Sequence, residues 1–184
     1  MSTNIPNIPF ESFGKLHRFN REICVTEKLD GTNAQIYIND TGDEIFAGSR
    51  NRWITSEDDN HGFAKWVQAN KQELLKMGPG HHFGEWWGAG IGRKYGLKEK
   101  RFSLFNTARW TEENKPACCS VVPVIWKGLM DDFDSNEVLI KLKTKGSVAA
   151  PGFMNPEGIV IYHVHSGHSY KKTLDHNDVC KGLV

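Results

Sequence analysis

Residues 26–38 read TEKLDGTNAQIYI and place Lys28 between the carboxylates of Glu27 and Asp30, directly before Gly31. Apolar and polar residues then alternate, as in a half-buried strand. The pattern predicts strands over residues 23–27 and 34–38, joined by a turn that carries Lys28. A lysine in such a turn is either a solvated ion pair or a nucleophile, because removal from water favours the neutral amine.

The rest of the chain predicts a sheet protein with few helices. Residues 56–78 begin with serine and acidic residues, carry apolar side chains at helical intervals and end at Gly78-Pro79, so they predict a helix. A second helix is predicted over residues 134–146. Aromatic and β-branched runs predict further strands over residues 44–50, 81–88, 101–110, 118–126, 156–165 and 169–175. Because few helices remain for parallel crossovers, we expect a mixed α+β fold with mainly antiparallel sheets flanked by a few helices.

Length, charge and cysteine spacing limit the possible classes of protein. The chain has 184 residues, 39% of them hydrophobic, which suits a single domain over residues 1–184. Its formal net charge of +1 excludes a protein that coats nucleic acid by global charge, and leaves only local basic patches. The four cysteines lack the spacing of a metal site, and no leader or membrane span is visible, so we expect free thiols in the cytoplasm.

Two further carboxylates and several cations stand next to predicted strands. Glu85 lies within an aromatic strand, where it either faces solvent or faces a ligand. Glu157 stands at the entry of an apolar strand and needs a partner, for which a divalent cation is suitable. Either Lys171 or Lys172 must face inward in its strand. Cations two residues apart in an extended segment share a face and can clamp phosphates, as with the arginines at positions 50 and 52.

Six short motifs occur in the following order: Lys28-Leu29-Asp30-Gly31, Ser49-Arg50, Phe83-Gly84-Glu85, Phe102-Ser103-Leu104-Phe105, Glu157-Gly158-Ile159-Val160 and Lys171. This order resembles the signature series of the covalent nucleotidyltransferases, which are the polynucleotide ligases and mRNA capping enzymes. The acid directly before the lysine is similar to that of RNA ligases of the phage repair type. The resemblance covers nearly the whole chain and implies the ATP-grasp-like nucleotidyltransferase domain of ligases.

The resemblance implies a role for each motif. Lys28 would attack the α-phosphorus of ATP and hold AMP as a phosphoramidate, Arg50 would contact the nucleotide or the RNA end, and Glu85 would bind the ribose hydroxyls. Glu157 would bind Mg²⁺ or Mn²⁺, and Lys171 would hold the α-phosphate. The implied catalytic residues are Lys28, Glu157 and Lys171.

Two assignments stay open at this point. Either Phe102 or Phe105 would stack on adenine, since strand alternation puts these two rings on opposite faces. The family's last motif has two lysines separated by one residue, whereas this chain reads Lys171-Lys172-Thr173, so either lysine is a candidate for the phosphate contact.

Two sets of binding residues follow from the resemblance. The ATP-binding set is Glu27, Lys28, Asp30, Gly31, Asn33, Arg50, Glu85, Phe102, Phe105, Lys171 and Lys172. A run of cations in residues 92–101, next to the predicted nucleotide strands, predicts contact with RNA phosphates. The RNA-binding set is Arg52, Arg93, Lys94, Lys98, Lys100 and Arg101.

The function implied is that of an ATP-dependent RNA ligase that seals 3′-hydroxyl and 5′-phosphate ends in RNA repair, with release of AMP and pyrophosphate. The alternatives are an ATP-dependent DNA ligase and a catalytically idle nucleotide-binding module that regulates a partner. Only 13 residues follow Lys171, so we expect no C-terminal accessory domain. Recognition of the RNA end would then fall to this domain or to a partner protein.

Overall fold

A computed structural model describes residues 8–175 of the chain. The strands are β1 (Glu22–Lys28), β2 (Thr32–Ile38), β3 (Ile45–Ser49), β4 (Trp53–Ile54), β5 (Gly80–Gly88), β6 (Lys100–Leu104), β7 (Ser120–Val121), β8 (Val124–Leu129), β9 (Gly158–His163) and β10 (His168–Thr173). The helices are α1 (Phe63–Ala69), α2 (Lys71–Leu74) and α3 (Ser135–Lys145), with 3₁₀ turns at Leu75–Met77 and Met130–Asp132. None of the helices in this part of the chain is long and apolar enough to cross a membrane.

The strands form two sheets. The four-stranded sheet has the order β10-β9-β1-β8, and the six-stranded sheet has the order β4-β3-β2-β5-β6-β7. All strand pairs are antiparallel except β6 with β7. The predicted α+β class with mainly antiparallel sheets is therefore confirmed.

Each sheet buries one face against helices. The six-stranded sheet packs residues such as Ile36 and Phe102 against Phe63 of α1. The four-stranded sheet packs Ile23 and Ile159 against Leu142 and its neighbours in α3. A third cluster around Leu29, Trp87 and Tyr95 lies beneath the turn between β1 and β2. The opposite face of each sheet is thus left available for a site.

The helix predicted over residues 56–78 is shorter than its pattern suggested. The Asp59 carboxylate accepts hydrogen bonds from the N–H groups of Ala64 and Lys65, at 2.8 and 3.1 Å. Asp59 therefore precedes α1 and satisfies N–H groups of its first turn, instead of being part of the helix. Gly62, with a φ of 82°, precedes the first helical residue. The helix predicted over residues 134–146 is confirmed, because Asp134 caps α3 and Gly146 ends it.

Two predicted strands are also divided or shortened. Residues 118–126 contain Pro123, which has no N–H group to donate, and the segment forms β7 and the start of β8 on either side of it. The strand predicted over residues 101–110 ends at Leu104, after which the chain turns between Asn106 and Trp110. The short strand β4 lies in a segment that the sequence pattern did not assign.

Candidate active site

Lys28 ends β1 and lies beside the segment that enters β9. Its Nζ atom is 2.6 Å from Oε1 of Glu157, and the two side chains are 23% and 19% exposed. A cavity of about 360 Å³ opens at this point. Its lining consists of Lys28, Leu29, Asp30, Gly31, Thr32, Asn33, Arg50 and Glu85. The structure therefore brings together the residues of the first three motifs, with Glu157 in contact with Lys28.

Glu85 is the buried carboxylate of this cavity. It is 8% exposed and accepts hydrogen bonds from the Gly31 N–H at 3.1 Å and from Nδ2 of Asn33 at 3.0 Å. Burial raises the pKa of Glu85 to about 7, although the bond from Asn33 and the charge of Lys28 act in the opposite direction. Glu85 thus holds the turn that carries the Lys-Leu-Asp-Gly motif and sits at the cavity as well.

Gly31 is required by the packing of this turn. A Cβ atom at Gly31 would lie 2.5 Å from the carbonyl oxygen of Trp86 and 2.7 Å from Cβ of Trp87. The turn at Gly31 therefore packs closely against the backbone of β5. Gly31 also lines the cavity, so an approach to a ligand stays a prediction.

Glu27 does not line the cavity, which corrects its assignment to ATP binding. Adjacent residues of a strand point to opposite faces, so Glu27 points away from the side of Lys28. Glu27 is 1% exposed, and its Oε2 atom accepts the N–H groups of Val148 and Ala149 at 2.8 and 2.9 Å. Its physical role is to anchor the loop that follows α3 beneath β1.

Asp30 is held by a loop that follows β5. The Asp30 N–H donates to the Tyr95 hydroxyl at 2.9 Å, and Oδ2 of Asp30 lies 3.4 Å from Nε of Arg93. Arg93 also donates to Oδ1 of Asn155 at 2.8 Å and contacts the Asp175 carboxylate. Arg93 therefore joins the motif turn to the segments before Glu157 and after β10, and its contact with RNA stays a prediction.

The contributions of Tyr95, Asn155 and Asp175 had no signal in the sequence. Each is a single polar residue in a loop, and the contacts with Asp30 and Arg93 depend on loops that come together only in the folded chain. In the folded chain this loop has an unusual backbone conformation, because Lys94 and Tyr95 have positive φ angles of 60° and 50°.

The other cations predicted to bind RNA fall into three groups. Arg52 and Arg101 form exposed ion pairs with Asp58 and Glu99. Lys100 donates to the carbonyl oxygen of His61 at 2.7 Å, so it holds the loop before α1. The remaining two, Lys94 and Lys98, are exposed. Contact with RNA at these positions stays a prediction, and Lys100 has a structural explanation of its own.

Strand register separates Lys171 from Lys172. In the aligned strands β1, β9 and β10, Lys171 is level with Val160 and Thr26, and Thr26 is two residues from Lys28 on the same face. Lys172 is level with Ile159 and Glu27 on the opposite face. Its Nζ atom donates to Oγ of Ser135 and Oδ1 of Asn136, both at 2.9 Å, at the start of α3. Lys172 is therefore not placed to bind ATP, whereas Lys171 is on the side of the cavity.

The two candidate phenylalanines also separate. Phe102 is completely buried and packs against the rings of Phe63 and Trp66, with centroids at 5.1 and 5.8 Å. Phe105 is 41% exposed, and its N–H donates to the carbonyl oxygen of Phe83, which puts it on the face that carries Glu85. Phe102 is thus a core residue, and the predicted contact with adenine passes to Phe105 alone.

Glu157 fits the predicted contact with a divalent cation. Its Oε2 atom is buried and has no hydrogen-bond partner among residues 8–175, and carboxylate oxygens are the ligands that Mg²⁺ and Mn²⁺ prefer. The described residues contain no group of three or more histidine, cysteine or acidic side chains placed to share a metal. A cation here would therefore keep several waters or phosphate oxygens as ligands, as Mg²⁺ usually does.

Comparisons with known proteins agree with this fold. The family model described as RNA ligase matches residues 21–174. Solved structures of Naegleria gruberi RNA ligase have the same fold: a mutant with ATP and Mn aligns with a TM-score of 0.62 and 20% identity over 84% of this chain and 50% of that chain. A mutant with AMP and Mn gives 0.59 and 18% over 84% and 50%, and the enzyme with pyrophosphate gives 0.56 and 22% over 83% and 49%.

Identities in this range show the fold alone, and the chain spans about half the length of these ligases. No curated protein sequence matches the chain significantly. The family model, in contrast, extends over most of the chain and includes both sheets. The chain belongs to the RNA ligase family.

Proposed function

We propose that this chain is the adenylyltransferase unit of an ATP-dependent RNA ligase, and that Lys28 forms a covalent bond to AMP. The observation that supports the proposal most strongly is that Lys28, Glu85 and Arg50 line one cavity and that Glu157 contacts Lys28, although these residues come from four separate parts of the chain. A lysine at a solvated surface would not require such partners.

The first step uses the side chain of Lys28 as nucleophile. The Nζ ammonium loses a proton to solvent, its lone pair forms a bond to the α-phosphorus of ATP, and the bond from that phosphorus to the pyrophosphate oxygen breaks. A second proton passes from Nζ to solvent as the phosphoramidate forms. Arg50 at the cavity and Lys171 on the face of Lys28 supply positive charge for the phosphate oxygens. A Mg²⁺ or Mn²⁺ ion bound by Glu157 would neutralise further phosphate charge.

The nucleoside is held by the six-stranded sheet. Glu85 accepts hydrogen bonds from the ribose hydroxyls, and the exposed ring of Phe105 stacks on adenine from the same face. Glu85 and Phe105 share one face of the sheet, because Glu85 of β5 is level with Ser103 of β6 and Phe105 is two residues further along the chain. Glu85 is also level with Asn33 of β2. The four-stranded sheet then supplies the phosphate-binding side of the cavity.

Two further transfers complete the reaction. An oxygen of the RNA 5′-phosphate attacks the phosphorus of the lysyl-AMP, the P–N bond breaks, and the RNA carries AMP on its 5′ end. The 3′-hydroxyl of the other end then attacks the 5′-phosphate, loses its proton and releases AMP. We assign these steps to the same cavity, with residues 1–184 as one adenylyltransferase domain and end recognition shared with RNA-binding surfaces here or in a partner.

Incubation with ATP and Mg²⁺ or Mn²⁺ tests the proposal. We expect the intact protein to gain the mass of one AMP, in a bond that acid hydrolyses, and peptide mapping to place the AMP on Lys28. Lys141→Ala is the matched control, because this lysine is exposed on α3 and pairs with Glu137. No adduct on the parent protein, or an adduct at a different residue, refutes the assignment. Nicked RNA and nicked DNA as substrates then distinguish an RNA ligase from a DNA ligase.

A further inference from the structure

Five aromatic side chains form a continuous patch on the face of the six-stranded sheet that carries Glu85. Neighbouring ring centroids in this patch are 4.7 to 6.4 Å apart. We call it the aromatic platform, and its members are Tyr37, Phe46, Trp53, His81 and Phe83. Strand register explains the patch, because Tyr37 is level with Phe46 on one side and with His81 on the other.

The aromatic platform is open to solvent. Phe46, Trp53 and Phe83 are 45%, 52% and 54% exposed, whereas Ile36 and Ile38 on the other face of β2 are fully buried. Contiguous apolar surface of this kind is rare on monomeric proteins unless a ligand or partner uses it. The patch therefore requires an explanation other than core packing.

The aromatic platform continues directly from the cavity. Along β2, Asn33 lines the cavity, Gln35 follows on the same face and Tyr37 belongs to the platform. The Gln35 amide oxygen lies 3.0 Å from Nδ1 of His81 and so links the two regions. Along β5, Phe83 is two residues from Glu85, a distance of about 7 Å in a strand. A polymeric ligand that extends from the cavity along this face therefore contacts the rings directly.

Charges near the aromatic platform are asymmetric. Arg50 lies at the cavity end, on the turn that joins β3 to Trp53. The opposite end carries the turn between β2 and β3, with exposed carboxylates at Asp40, Asp43 and Glu44. Arg50 therefore attracts a polyanion at the cavity end, and the carboxylates repel it beyond the rings. Asn33 at the cavity and Tyr37 are four residues apart in β2, a distance of about 13 Å that two to three nucleotides can span.

Exposed aromatic rings beside a cation are the combination that binds unpaired bases, because every base has a face that stacks on an aromatic side chain. We propose that the aromatic platform holds two or three unpaired bases of the RNA strand next to the cavity. This inference rests on the proposed function for the identity of the ligand, and it adds a binding surface of which only Phe83 belongs to a motif.

Bases and rings can be removed independently to test the inference. The probes are a labelled six-nucleotide single-stranded RNA and the same ribose-phosphate backbone without bases, with binding followed by fluorescence anisotropy. We expect the double variant Phe46→Ala, Trp53→Ala to bind the RNA about tenfold more weakly and the base-free backbone equally well, given the size of a base–aromatic stack. The double variant Phe46→Tyr, Trp53→Phe keeps the rings and should keep most of the affinity.

Controls separate this inference from its alternatives. Tyr170→Ala removes an aromatic side chain that is 59% exposed on the four-stranded sheet, and it should leave RNA affinity unchanged. Equal losses for RNA and base-free backbone, or no loss for either, would overturn the inference. So would a parent protein that is dimeric and becomes monomeric on ring removal, because the face would then be an interface between copies. Adduct formation with ATP should be unaffected by ring removal, so its absence from the parent refutes the proposed function and leaves the RNA measurement standing.

Discussion

The Nζ atom of Lys28 lies 2.6 Å from Oε1 of Glu157, although Glu27 and Asp30 are its near neighbours in the chain. Glu27 is buried beneath the strand and Asp30 pairs with Arg93, so neither neighbour is the partner of the lysine. In the proposed mechanism, Lys28 has to leave Glu157 before its nitrogen can attack phosphorus, and the same carboxylate would then be free for a cation. The ion pair that the sequence suggested is real, but it joins two residues of the proposed site.

Replacement of Lys28 separates adduct formation from sealing. Lys28→Ala should abolish the sealing of 5′-phosphate RNA with ATP and retain some sealing of RNA that already carries 5′-AMP, because the last transfer needs no protein nucleophile. Glu157→Ala should impair both reactions, since the charge on phosphate must be neutralised in each. Gel analysis of the two RNA substrates measures this. If Lys28→Ala seals 5′-phosphate RNA as fast as the parent, Lys28 has only a structural role.

The two adjacent lysines of β10 should behave differently. Lys171→Ala should slow adduct formation about 100-fold, as expected for loss of a cation at a reacting phosphate. Lys172→Ala removes hydrogen bonds to Ser135 and Asn136 and should lower the free energy of unfolding by about 1 kcal/mol, with the rate per folded molecule retained. Denaturant unfolding and single-turnover rates compare the variants. The reverse pattern would mean that the strand has a different register.

Arg93 should affect both the stability of the fold and the geometry of the turn that carries Lys28. Arg93→Ala breaks contacts with Asp30, Asn155 and Asp175, and we expect a loss of about 1–3 kcal/mol in the free energy of unfolding together with slower adduct formation. Arg101→Ala, which removes an exposed pair with Glu99, is the matched control and should change stability little. A variant with normal stability and weaker RNA binding would show instead that Arg93 acts in RNA binding.

The buried carboxyl of Glu85 should make stability depend on pH. Because burial raises its pKa to about 7, the folded state binds more protons than the unfolded state between about pH 4.5 and 7. The free energy of unfolding should therefore fall as pH rises through this range, by at most ~3 kcal/mol. Glu85→Gln, a neutral mimic, should lack this dependence.

Urea unfolding of the parent and of Glu85→Gln at pH 5, 6.5 and 8 measures the effect, with exposed Glu57→Gln as the control. We expect the Glu85→Gln variant to gain on the parent as the pH rises. A difference between parent and variant that is constant across the three pH values would show that Glu85 is ionised throughout.

Strand alternation and the order of the motifs were sufficient to predict which segments of the chain border the cavity. Alternation predicted a strand over residues 23–27 with Lys28 in the turn that follows, and Lys28 is the last residue of β1. Of the other two predicted carboxylates, Glu85 lines the cavity and Glu157 contacts Lys28. The assignments to ATP binding that failed are those in which a shift of one residue along a strand changes the face on which the side chain lies. Glu27 and Lys172 are each adjacent to a residue on the cavity side, and only the register of β1, β9 and β10 shows which face each occupies.

Arg93 illustrates a different limit of sequence reasoning. Among neighbouring cations in residues 92–101, it has the same charge and a similar local composition, yet it alone of the six predicted RNA-binding cations contacts Asp30. That contact depends on a loop with positive φ angles at Lys94 and Tyr95, a conformation that residue type does not favour. Phe102 likewise became a core residue because α1 covers its face of the sheet.

The arrangement of strands has a consequence for the order in which the protein acquires its parts during synthesis. All strands of the six-stranded sheet lie between Thr32 and Val121, whereas β1 pairs with β8 and β9, which the ribosome makes later. A nascent chain that has reached Val121 can fold the larger sheet while both edges of β1 remain unpaired. Lys28 is therefore translated early and reaches Glu157 late, so a chain released in between carries Lys28, Arg50 and Glu85 without Glu157.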